Sequence, residues 1–402
     1  MRLSHARRAI SVRFDDPNLV SCGGLAAVLA LGARCGLATL LTERLRIAAG
    51  DGANATAKVL ALIAGMIAGA DSIDDMDLLR HGGMGRLFTD VRAPSTLGTF
   101  LRVFTFGHVR QLDAVAAGLL ARLAGAAPIL PDISTVAFVD IDDTVRQTYG
   151  YAKQGAGRGY SGVKGLNALI ATVSTPLSAP VIAATRLRKG ATNSVRGAAK
   201  LLADALATTA RAGATGLVIV RADSAFYSYP IIAAARRAGA RFSVTARLIV
   251  RRVRRLNPTT VAVGQSEMFA VYRYHAIFTD SPEPMLAAEA THRDHAIIEQ
   301  VIADLKDSAL AHLPSGVFTA NAAWLACAAI AHNLTRAAGA LASTLHARAR
   351  TGTIRAQLIN TPARIARSAH QLQLHLPQHW PWQHGLDELF RRALHDPLPA
   401  AA

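Results

Sequence analysis

The chain has 402 residues, 51% of them hydrophobic, and this length predicts two or three domains. Its three cysteines lack paired spacing, which argues against a disulfide framework or a zinc site. No run reaches the roughly 18 uncharged apolar residues of a membrane span, and no secretion signal is evident, so we expect a cytoplasmic protein without a membrane partner. Lysine and arginine number 44 against 27 acidic residues, and this net charge of +17 favours nucleic acid as the partner. A genome that prefers arginine codons is the alternative source of part of that excess.

The first 130 residues are predicted to be helical. Apolar residues recur with helical spacing in two alanine-rich runs, AKVLALIAGMIAGA and LDAVAAGLLARLAGAA. Between them lies a segment with a Ser/Thr start signal and an apolar face, APSTLGTFLRVF. The prolines of residues 127–134, APILPDIS, indicate a linker after the last of these helices.

The pattern changes from helical to β at residue 136. Three short β-rich runs follow one another: VAFVDID, LNALIATVS and APVIAATRL. Next come a helix, NSVRGAAKLLADALATTARAGA, a strand, GLVIVRADSAFYS, a second helix, PIIAAARRAG, and a fifth strand, RFSVTA. Three strands in series and then helix, strand, helix and strand is the order of a ribonuclease-H-like α/β fold, which we predict here.

A basic, strand-like region follows the fifth strand, and the chain then becomes helical again before a basic tail. The predicted organisation is a helical N-terminal DNA-binding region at 1–130, the first part of the core at 131–246, a basic β insertion at 247–285, a helical completion of the core at 286–346 and a basic C-terminal region at 347–402.

Three aspartates follow the apolar residues of VAFVDIDDTV, residues 136–145. Successive side chains alternate between the two faces of a strand, so Asp140 and Asp142 point to the same side. Asp223 ends the fourth strand, and a parallel pairing of these strands would bring its carboxylate beside Asp142 at their carboxyl ends. Two carboxylates that close repel each other unless one is protonated or a cation holds them.

Oxygen-only ligands of this kind favour Mg²⁺ or Mn²⁺ over zinc, so we expect divalent ions to neutralise these aspartates. The alternative for either residue alone is an aspartate that caps a turn at the end of a strand. Two such residues on neighbouring strands of one sheet favour the metal site.

A third carboxylate is expected from the late helical segment HRDHAIIEQVIADLK. His292, His295, Glu299 and Lys306 are spaced by three, four and seven residues, which places all four on one helical face. Glu299 is then the third metal ligand, and Lys306 faces a phosphate two turns further on. The alternative is an ordinary amphipathic helix whose charged residues are solvated.

Two further motifs have structural explanations. GAGRGYSG carries Gly157, Gly159 and Gly162 in the dinucleotide-binding spacing, but a strand-like run follows where that motif needs a helix. We predict instead a flexible hairpin near phosphate, with Lys164 as a DNA-binding residue. The aspartates of DSIDDMDLLR crowd the start of a helix, as the helix dipole favours.

Three segments in order resemble the catalytic segments of DDE transposases from bacterial insertion sequences: VDIDDT, VRADSAFYS and HAIIEQVIADLK. They are most similar to the group conventionally numbered thirteen-eighty, and the similarity extends to FDDPNLVSC, GADSIDDMDLLRHG, APSTLGTFLR and LAHLPSG, so that it spans nearly the whole chain. The resemblance implies a ribonuclease-H-like core with a β insertion, a divalent-metal site, and DNA cleavage with strand transfer.

The resemblance also implies roles for individual residues. By position, the first Asp of the family's Asp-x-Thr maps to Asp142, its second carboxylate to Asp223 and its third to Glu299, and these three would hold Mg²⁺ or Mn²⁺. The implied partners are terminal inverted repeats and target DNA, with a homodimer of the protein in a synaptic complex on nucleoid DNA.

The wider superfamily has a Tyr-Arg-Glu-Lys signature whose last two residues match Glu299 and Lys306. Its Tyr and Arg positions are occupied here by His292 and His295, and Arg293 lies beside them as a substitute. The resemblance therefore implies DNA binding by Lys306, Arg293 and the two histidines.

One departure from the family concerns the β insertion. The fifth strand usually leads into a sizeable insertion, whereas here RFSVTA runs almost directly into RLIVRRVRRLNP, so we expect a shortened insertion. Two alternatives to an active transposase follow: a catalytically inactive remnant that acts only as a basic DNA-binding protein, and a ribonuclease-H-like nuclease without strand transfer. Metal-dependent nicking of the terminal repeats would distinguish an active transposase from the inactive remnant. Strand transfer would distinguish it from the nuclease.

Overall fold

The computed structural model describes residues 4, 10–48, 50, 52–149, 152–159, 162–226, 228–242, 247–254, 272–280, 284–368 and 371–395. Buried apolar side chains from the N-terminal helices, the central sheet and the C-terminal helices form one hydrophobic cluster. The helices that precede the sheet in the chain therefore share a core with the helices that follow it.

Helices dominate the described chain up to residue 126. They are α1 (Leu25–Arg34), α2 (Leu37–Arg44), α3 (Ala55–Ala68), a 3-10 helix (Asp74–Leu79), α4 (Met84–Leu87), α5 (Pro94–Arg102) and α6 (Phe106–Ala126), preceded by the short strand β1 (Leu19–Val20). A capping box begins α6, because the Thr105 hydroxyl accepts from the His108 N–H while His108 Nδ1 accepts from the Thr105 N–H.

The central sheet follows the predicted order of elements. Its strands and helices are β2 (Val136–Gln147), β3 (Gly157–Arg158), β4 (Lys164–Ser174), β5 (Val181–Lys189), α7 (Ala198–Arg211), β6 (Leu217–Ala222), α8 (Tyr229–Arg237) and β7 (Arg241–Phe242). Strands β5, β4 and β2 are antiparallel neighbours, and β6 and β7 continue the sheet in parallel with β2. The short β3 also pairs with β4.

Two strand boundaries differ from the prediction. Strand β2 does not end at its aspartates but continues to Gln147, because its antiparallel pairing with β4 extends to Gly165. Strand β6 ends earlier than predicted, at Ala222, where Asp223 Oδ1 accepts the Ala225 N–H at 2.9 Å and turns the chain into a short 3-10 helix. The early end of β6 leaves the edge of β2 uncovered beyond Ile141, and the candidate site lies there.

The remaining elements cover the sheet and connect the two ends of the chain. They are β8 (Arg247–Arg254), β9 (Tyr272–Thr279), α9 (Met285–Arg293), a 3-10 turn (Asp294–Ile297), α10 (Ile298–Lys306), α11 (Phe318–Ala342), α12 (Thr344–Arg348), α13 (Thr351–Ile354), a π-helical turn (Arg355–Ile359), β10 (Ala363–Ser368), β11 (Gln371–His375) and α14 (Gln383–Leu394).

Packing of these elements explains why the central strands are so apolar. Helix α7 packs on β2, β4 and β5, α10 packs on β2, and the long, almost wholly buried α11 packs on β5. Strand β4 is buried along nearly its whole length, since it has a strand on each side and helices over it. Strands β1, β10 and β11 form a separate small sheet that joins the N- and C-terminal regions.

The predicted basic β insertion contains a two-stranded antiparallel hairpin, β8 with β9. Residues 255–271 between its strands, like 243–246 of the predicted fifth strand, lie outside the described residues. Within the described ranges, no single helix is long and apolar enough to cross a membrane; α1 and α2 have that length and composition only when taken together, and they are bent by 56°.

Candidate active site

The pairing of β2 with β6 brings Asp142 and Asp223 together. The last parallel pair is Ile141 with Ala222, and the next residue on each strand is one of the two aspartates. Asp142 is still held within β2 by its pairing with Ile170 of β4, whereas Asp223 begins the turn after β6. Asp142 and Asp223 therefore lie beside each other where β6 stops and β2 continues.

The environment of Asp142 disfavours its charged form. Burial is the main reason that its pKa is raised from 3.8 to about 7, and the negative charges of Asp223, Asp143 and Glu299 raise it further. The Asp143 backbone N–H, which donates to Asp142 Oδ1 at 2.7 Å, acts in the opposite direction. Both Asp223 and Glu299 are thus close enough to Asp142 for their charges to act on it.

Asp140, on the same face of β2 as Asp142, is neutralised by an arginine. Arg221 Nε and a terminal nitrogen of the same guanidinium donate to the two carboxylate oxygens of Asp140 at 2.6 and 2.8 Å. Asp140 is 0% exposed and Arg221 is 2% exposed. Burial raises the pKa of the Asp140 carboxyl, and the bonds and charge of Arg221 oppose this effect.

Asp143 points to the other face of β2 and has its own arginine. Arg188 forms a buried ion pair with Asp143 and donates to Asn167 Oδ1 at 2.9 and 2.7 Å. The same guanidinium donates to the carbonyls of residues 193, 194 and 196, which lead into α7. Asp140 and Asp143, which were not among the three expected metal ligands, are therefore neutralised by arginines that lie far away in the sequence.

Asp142 differs from its two neighbours because it has no ion pair with any lysine, arginine or histidine of the described residues. A carboxylate that is largely buried, close to other acids and without a cation is costly as an anion. Of the three aspartates, only Asp142 thus retains a need for an external positive charge.

The third carboxylate lies on the helical segment 285–306, which runs over the same face of the sheet as Asp140 and Asp142. Helix α9, the 3-10 turn and α10 follow one another with helical backbone angles throughout. Glu299 is an exposed residue in the first turn of α10, and Lys306 is its last residue, roughly 10 Å further along the axis at 1.5 Å per residue.

The two histidines of this segment lie closer to the Asp140–Arg221 pair. Their rings are 6.1 Å apart, so His292 and His295 share a face of the helix as predicted. Burial lowers the pKa of His292, and the positive charges of His295 and Arg221 lower it further. His295 Nδ1 is buried and has no hydrogen-bond partner among the described residues.

Among the predicted DNA-binding residues, Lys164 lies away from the candidate site and Arg293 has an ion-pair partner of its own. Lys164 begins β4, six residues from Ile170, the residue opposite Asp142, which is about 20 Å along a strand. Arg293 is exposed and forms an ion pair with Glu289 one turn earlier, at 2.9 Å. DNA binding by either residue stays a prediction, and any contact that Lys164 makes lies at a distance from the candidate site.

The carboxylates fit a hard divalent cation by their chemistry. Asp142, Asp223 and Glu299 supply only oxygen donors, and Asp142 lacks a neutralising partner. Within the described part of the chain, however, no group of three or more His, Cys, Asp or Glu side chains is arranged to hold a metal ion. The three side chains are thus near enough for their charges to interact but do not converge on a common point.

The glycine-rich segment and the acidic run have the local structures that the sequence predicts for them. The glycine-rich segment is followed by strand β4 and not by a helix. In the acidic run, Asp75 accepts hydrogen bonds from the Ser72 hydroxyl at 2.8 Å and from the Ser72 N–H at 3.1 Å, and Asp77 pairs with Arg80 at 2.6 Å. These aspartates stabilise a helix start and a short helical turn.

Sequence reasoning missed Arg221, although a signal for it was present. Asp140 precedes Asp142 by two residues, and Arg221 precedes Asp223 by two residues. If the two later residues are neighbours on parallel strands, then so are the two earlier ones, and their opposite charges indicate an ion pair. The register confirms this pairing of Asp140 with Arg221.

Comparison with known proteins identifies a family. The family model described as "Transposase DDE domain group 1" matches residues 3–257 and 246–396. The two matched segments overlap at 246–257, which is where the sequence predicts a shortened insertion. No match was found among curated proteins.

Proposed function

The chain belongs to the family of transposases with a DDE domain, group 1, and from this premise we propose that it cleaves the ends of an insertion sequence and transfers the strands into target DNA. The observation that carries the proposal is the electrostatic grouping of Asp142 with Asp223 and Glu299. These are the three positions at which the sequence resembles the catalytic carboxylates of bacterial insertion-sequence transposases, those numbered thirteen-eighty in particular.

We assign the central sheet to a ribonuclease-H-like core. The strand order β5-β4-β2-β6-β7, with three antiparallel strands in series and two parallel strands after them, supports this assignment. In α/β sheets, sites form at the carboxyl ends of parallel strands, and Asp142 and Asp223 directly follow the last parallel pair of β2 and β6.

Asp142, Asp223 and Glu299 are the residues that would hold Mg²⁺ or Mn²⁺. Bound divalent ions supply an activated water or 3′-hydroxyl and stabilise the leaving oxygen of the phosphodiester. The chain itself keeps Asp142 oriented through the Asp143 N–H and keeps it free of competing cations, because Arg221 and Arg188 are engaged by the two neighbouring aspartates. Binding of a cation would also offset the burial and the charge repulsion that disfavour the anionic form of Asp142 and raise its pKa.

DNA contact is assigned mainly to positive charge outside the carboxylates. Lys306 has no hydrogen bond or ion pair with the described residues, which leaves its ammonium available for a phosphate. It lies on the helix that carries Glu299, at its C-terminal end. The net charge of +17 supports a general attraction to the DNA backbone, in the cytoplasm and on nucleoid DNA.

We further propose that two copies of the chain hold the two ends of the element in one synaptic complex. Ile10, Val12 and Phe14 lie in a segment without helix or strand and are 50%, 76% and 101% exposed. Exposed apolar surface of this kind is unfavourable in water and suits a contact with a second protein chain. Sedimentation of the protein with labelled repeat DNA should show two chains per pair of ends.

A second candidate function is that of an inactive remnant that binds element ends without cutting them. The observation that favours it is that the family match consists of two segments, which overlap at 246–257, the region of β8. Both candidates predict salt-dependent DNA binding, but only the first predicts cleavage.

Nicking of the element's own terminal repeat separates the two candidates. The substrate is a labelled duplex with the inverted repeat that flanks the gene, incubated with purified protein and Mg²⁺ or Mn²⁺. Alanine at Asp142, Asp223 or Glu299 should abolish cleavage and leave DNA binding largely intact, because binding depends on basic residues elsewhere.

Asp77→Ala is the matched control, since Asp77 is an exposed carboxylate in a surface ion pair with Arg80. It should cleave at the rate of the unmodified protein. Nicking at that rate by any of the three alanine variants would show that the residue is wrongly assigned. Metal-independent binding without nicking by the unmodified protein would favour the remnant.

A further inference from the structure

We infer that Arg221 is a positioning residue that ties together the three elements that carry the proposed catalytic carboxylates. This inference rests on the proposed function, because it concerns how Asp142, Asp223 and Glu299 are held relative to one another. Arg221 itself touches neither the DNA nor the metal in this proposal.

The first connection is between the two strands. Asp140 and Arg221 are register partners on β2 and β6, and each lies two residues before one of the proposed ligands, Asp142 and Asp223. The guanidinium donates to both oxygens of Asp140, at 2.6 and 2.8 Å. A bidentate contact of this kind fixes the relative position and the angle of the two groups, so it locks the strands in register directly beside the site.

The second connection is between the strands and the helix. The remaining terminal nitrogen of Arg221 donates to the carbonyl oxygen of Thr291 at 3.0 Å. Thr291 lies in α9, and the helical segment that begins there continues to Glu299. A hydrogen bond from the centre of the sheet to this backbone therefore sets the distance of the helix from β2 and β6, two turns before the third carboxylate.

Burial makes these contacts rigid and specific. Arg221 and Asp140 are almost completely inaccessible to water, and the guanidinium lies over the Phe138 ring with its central carbon 4.2 Å from the ring centre. A planar guanidinium can serve two acceptors in different directions and an aromatic face at the same time, which a lysine ammonium cannot do. The requirement is thus for arginine and not for positive charge alone.

The test measures divalent-ion binding apart from DNA cleavage. Mn²⁺ binding to the full-length protein is followed by electron paramagnetic resonance, and the binding that is lost in Asp142→Ala is taken as the proposed site. In Arg221→Lys we expect the ion pair with Asp140 to persist but the hydrogen bond to Thr291 to be lost. Mn²⁺ affinity should then fall by about 10-fold to 100-fold, as for other residues that orient metal ligands.

A double variant separates positioning from folding. Replacement of both members of a buried ion pair by apolar residues is often tolerated, so Asp140→Leu combined with Arg221→Met should remain folded. It should nevertheless lose Mn²⁺ affinity and cleavage while it still binds repeat DNA. Arg186→Lys is the matched control, because Arg186 lies on β5 of the same sheet and pairs with Asp204 of α7 at 3.3 Å, and this change should alter neither property.

The outcomes distinguish this inference from the proposed function. If Arg221→Lys binds Mn²⁺ as tightly as the unmodified protein, the inference is wrong while the metal site stands. If the unmodified protein shows no Mn²⁺ binding that depends on Asp142, the proposed metal site is wrong and the role of Arg221 is overturned with it. If the double variant does not fold, the result with Arg221→Lys decides.

Discussion

Replacement of Asp142 by Asn should make the protein more stable at neutral and alkaline pH while it abolishes cleavage. The reason is the environment of the carboxyl, whose pKa is raised to about 7, first by burial and then by Asp223, Asp143 and Glu299. An asparagine at this position has nearly the same shape and can still accept the Asp143 N–H through its oxygen. It removes the charge that the site does not neutralise.

The size of the stability change follows from the difference between the pKa values of Asp142 in the folded and unfolded states. A rise from 3.8 to about 7 corresponds to at most about 4 kcal/mol, and partial solvent access reduces this to about 2–4 kcal/mol. Because the folded pKa is higher than the unfolded one, the folded state binds the proton more tightly. The penalty is therefore absent below about pH 4, grows as the pH rises from 4 to 7, and is fully present above 7.

The assay is chemical denaturation of the unmodified protein and Asp142→Asn at pH 4, 6 and 8. We expect the free energy of unfolding of the variant to exceed that of the unmodified protein by about 2–4 kcal/mol at pH 8 and by almost nothing at pH 4. Mg²⁺ should stabilise the unmodified protein at pH 8 and not the variant, since a ligand that binds only the folded state raises its stability.

Asp140→Asn is the matched control on the same face of the same strand. Asp140→Asn should have the opposite effect and lower the free energy of unfolding by about 3–5 kcal/mol, because it leaves the buried Arg221 without its carboxylate. Equal stability of Asp142→Asn and the unmodified protein at every pH would refute the reasoning. A loss of stability in Asp142→Asn at pH 8 would show that the carboxylate is neutralised within the fold after all.

Three further predictions concern DNA binding and folding. Lys306→Ala should weaken binding to element ends or reduce Mg²⁺-dependent nicking, and Lys306→Arg should recover much of the loss; unchanged nicking by the alanine variant would mean that Lys306 is only a solvated residue. Affinity for repeat DNA should fall steeply between about 50 and 200 mM salt as counterions are released, whereas a flat dependence would attribute the +17 to codon usage. Asp304→Asn should lower the free energy of unfolding by about 3–5 kcal/mol, because Asp304 is 6% exposed, pairs with Arg350 and accepts the Thr351 N–H at 3.1 Å. Asp307→Asn, at an exposed position, is the control, and similar denaturation midpoints for both variants would contradict this.

Much of the candidate site could be predicted from local patterns. The two-residue period of a strand placed Asp140 and Asp142 on one face, and the order of strands and helices predicted that the strand ending in Asp223 would lie beside the first strand. Helical spacing likewise grouped His292 and His295, whose rings lie 6.1 Å apart. These features depend on backbone geometry over a few residues, which the sequence expresses directly.

The partners of the acidic groups were decided only by the tertiary structure. Arg221 lies 81 residues from Asp140, and Arg188 lies 45 residues from Asp143. No local pattern says which of several arginines reaches which carboxylate, because that choice depends on register, on burial and on where β6 ends. The same dependence on packing explains Asp304, a buried anchor for residues 350 and 351 that its helical spacing does not reveal.

The sequence by itself thus determined which residue types meet at the sheet edge, since alternation and element order are local properties of the chain. The tertiary structure determined which of the aspartates is left without a cation. Asp140 and Asp143 are neutralised by arginines from strands that are distant in the sequence. Asp142 is buried among acids and has no such partner among the described residues, because β6 ends at Ala222 and the chain turns away at Asp223.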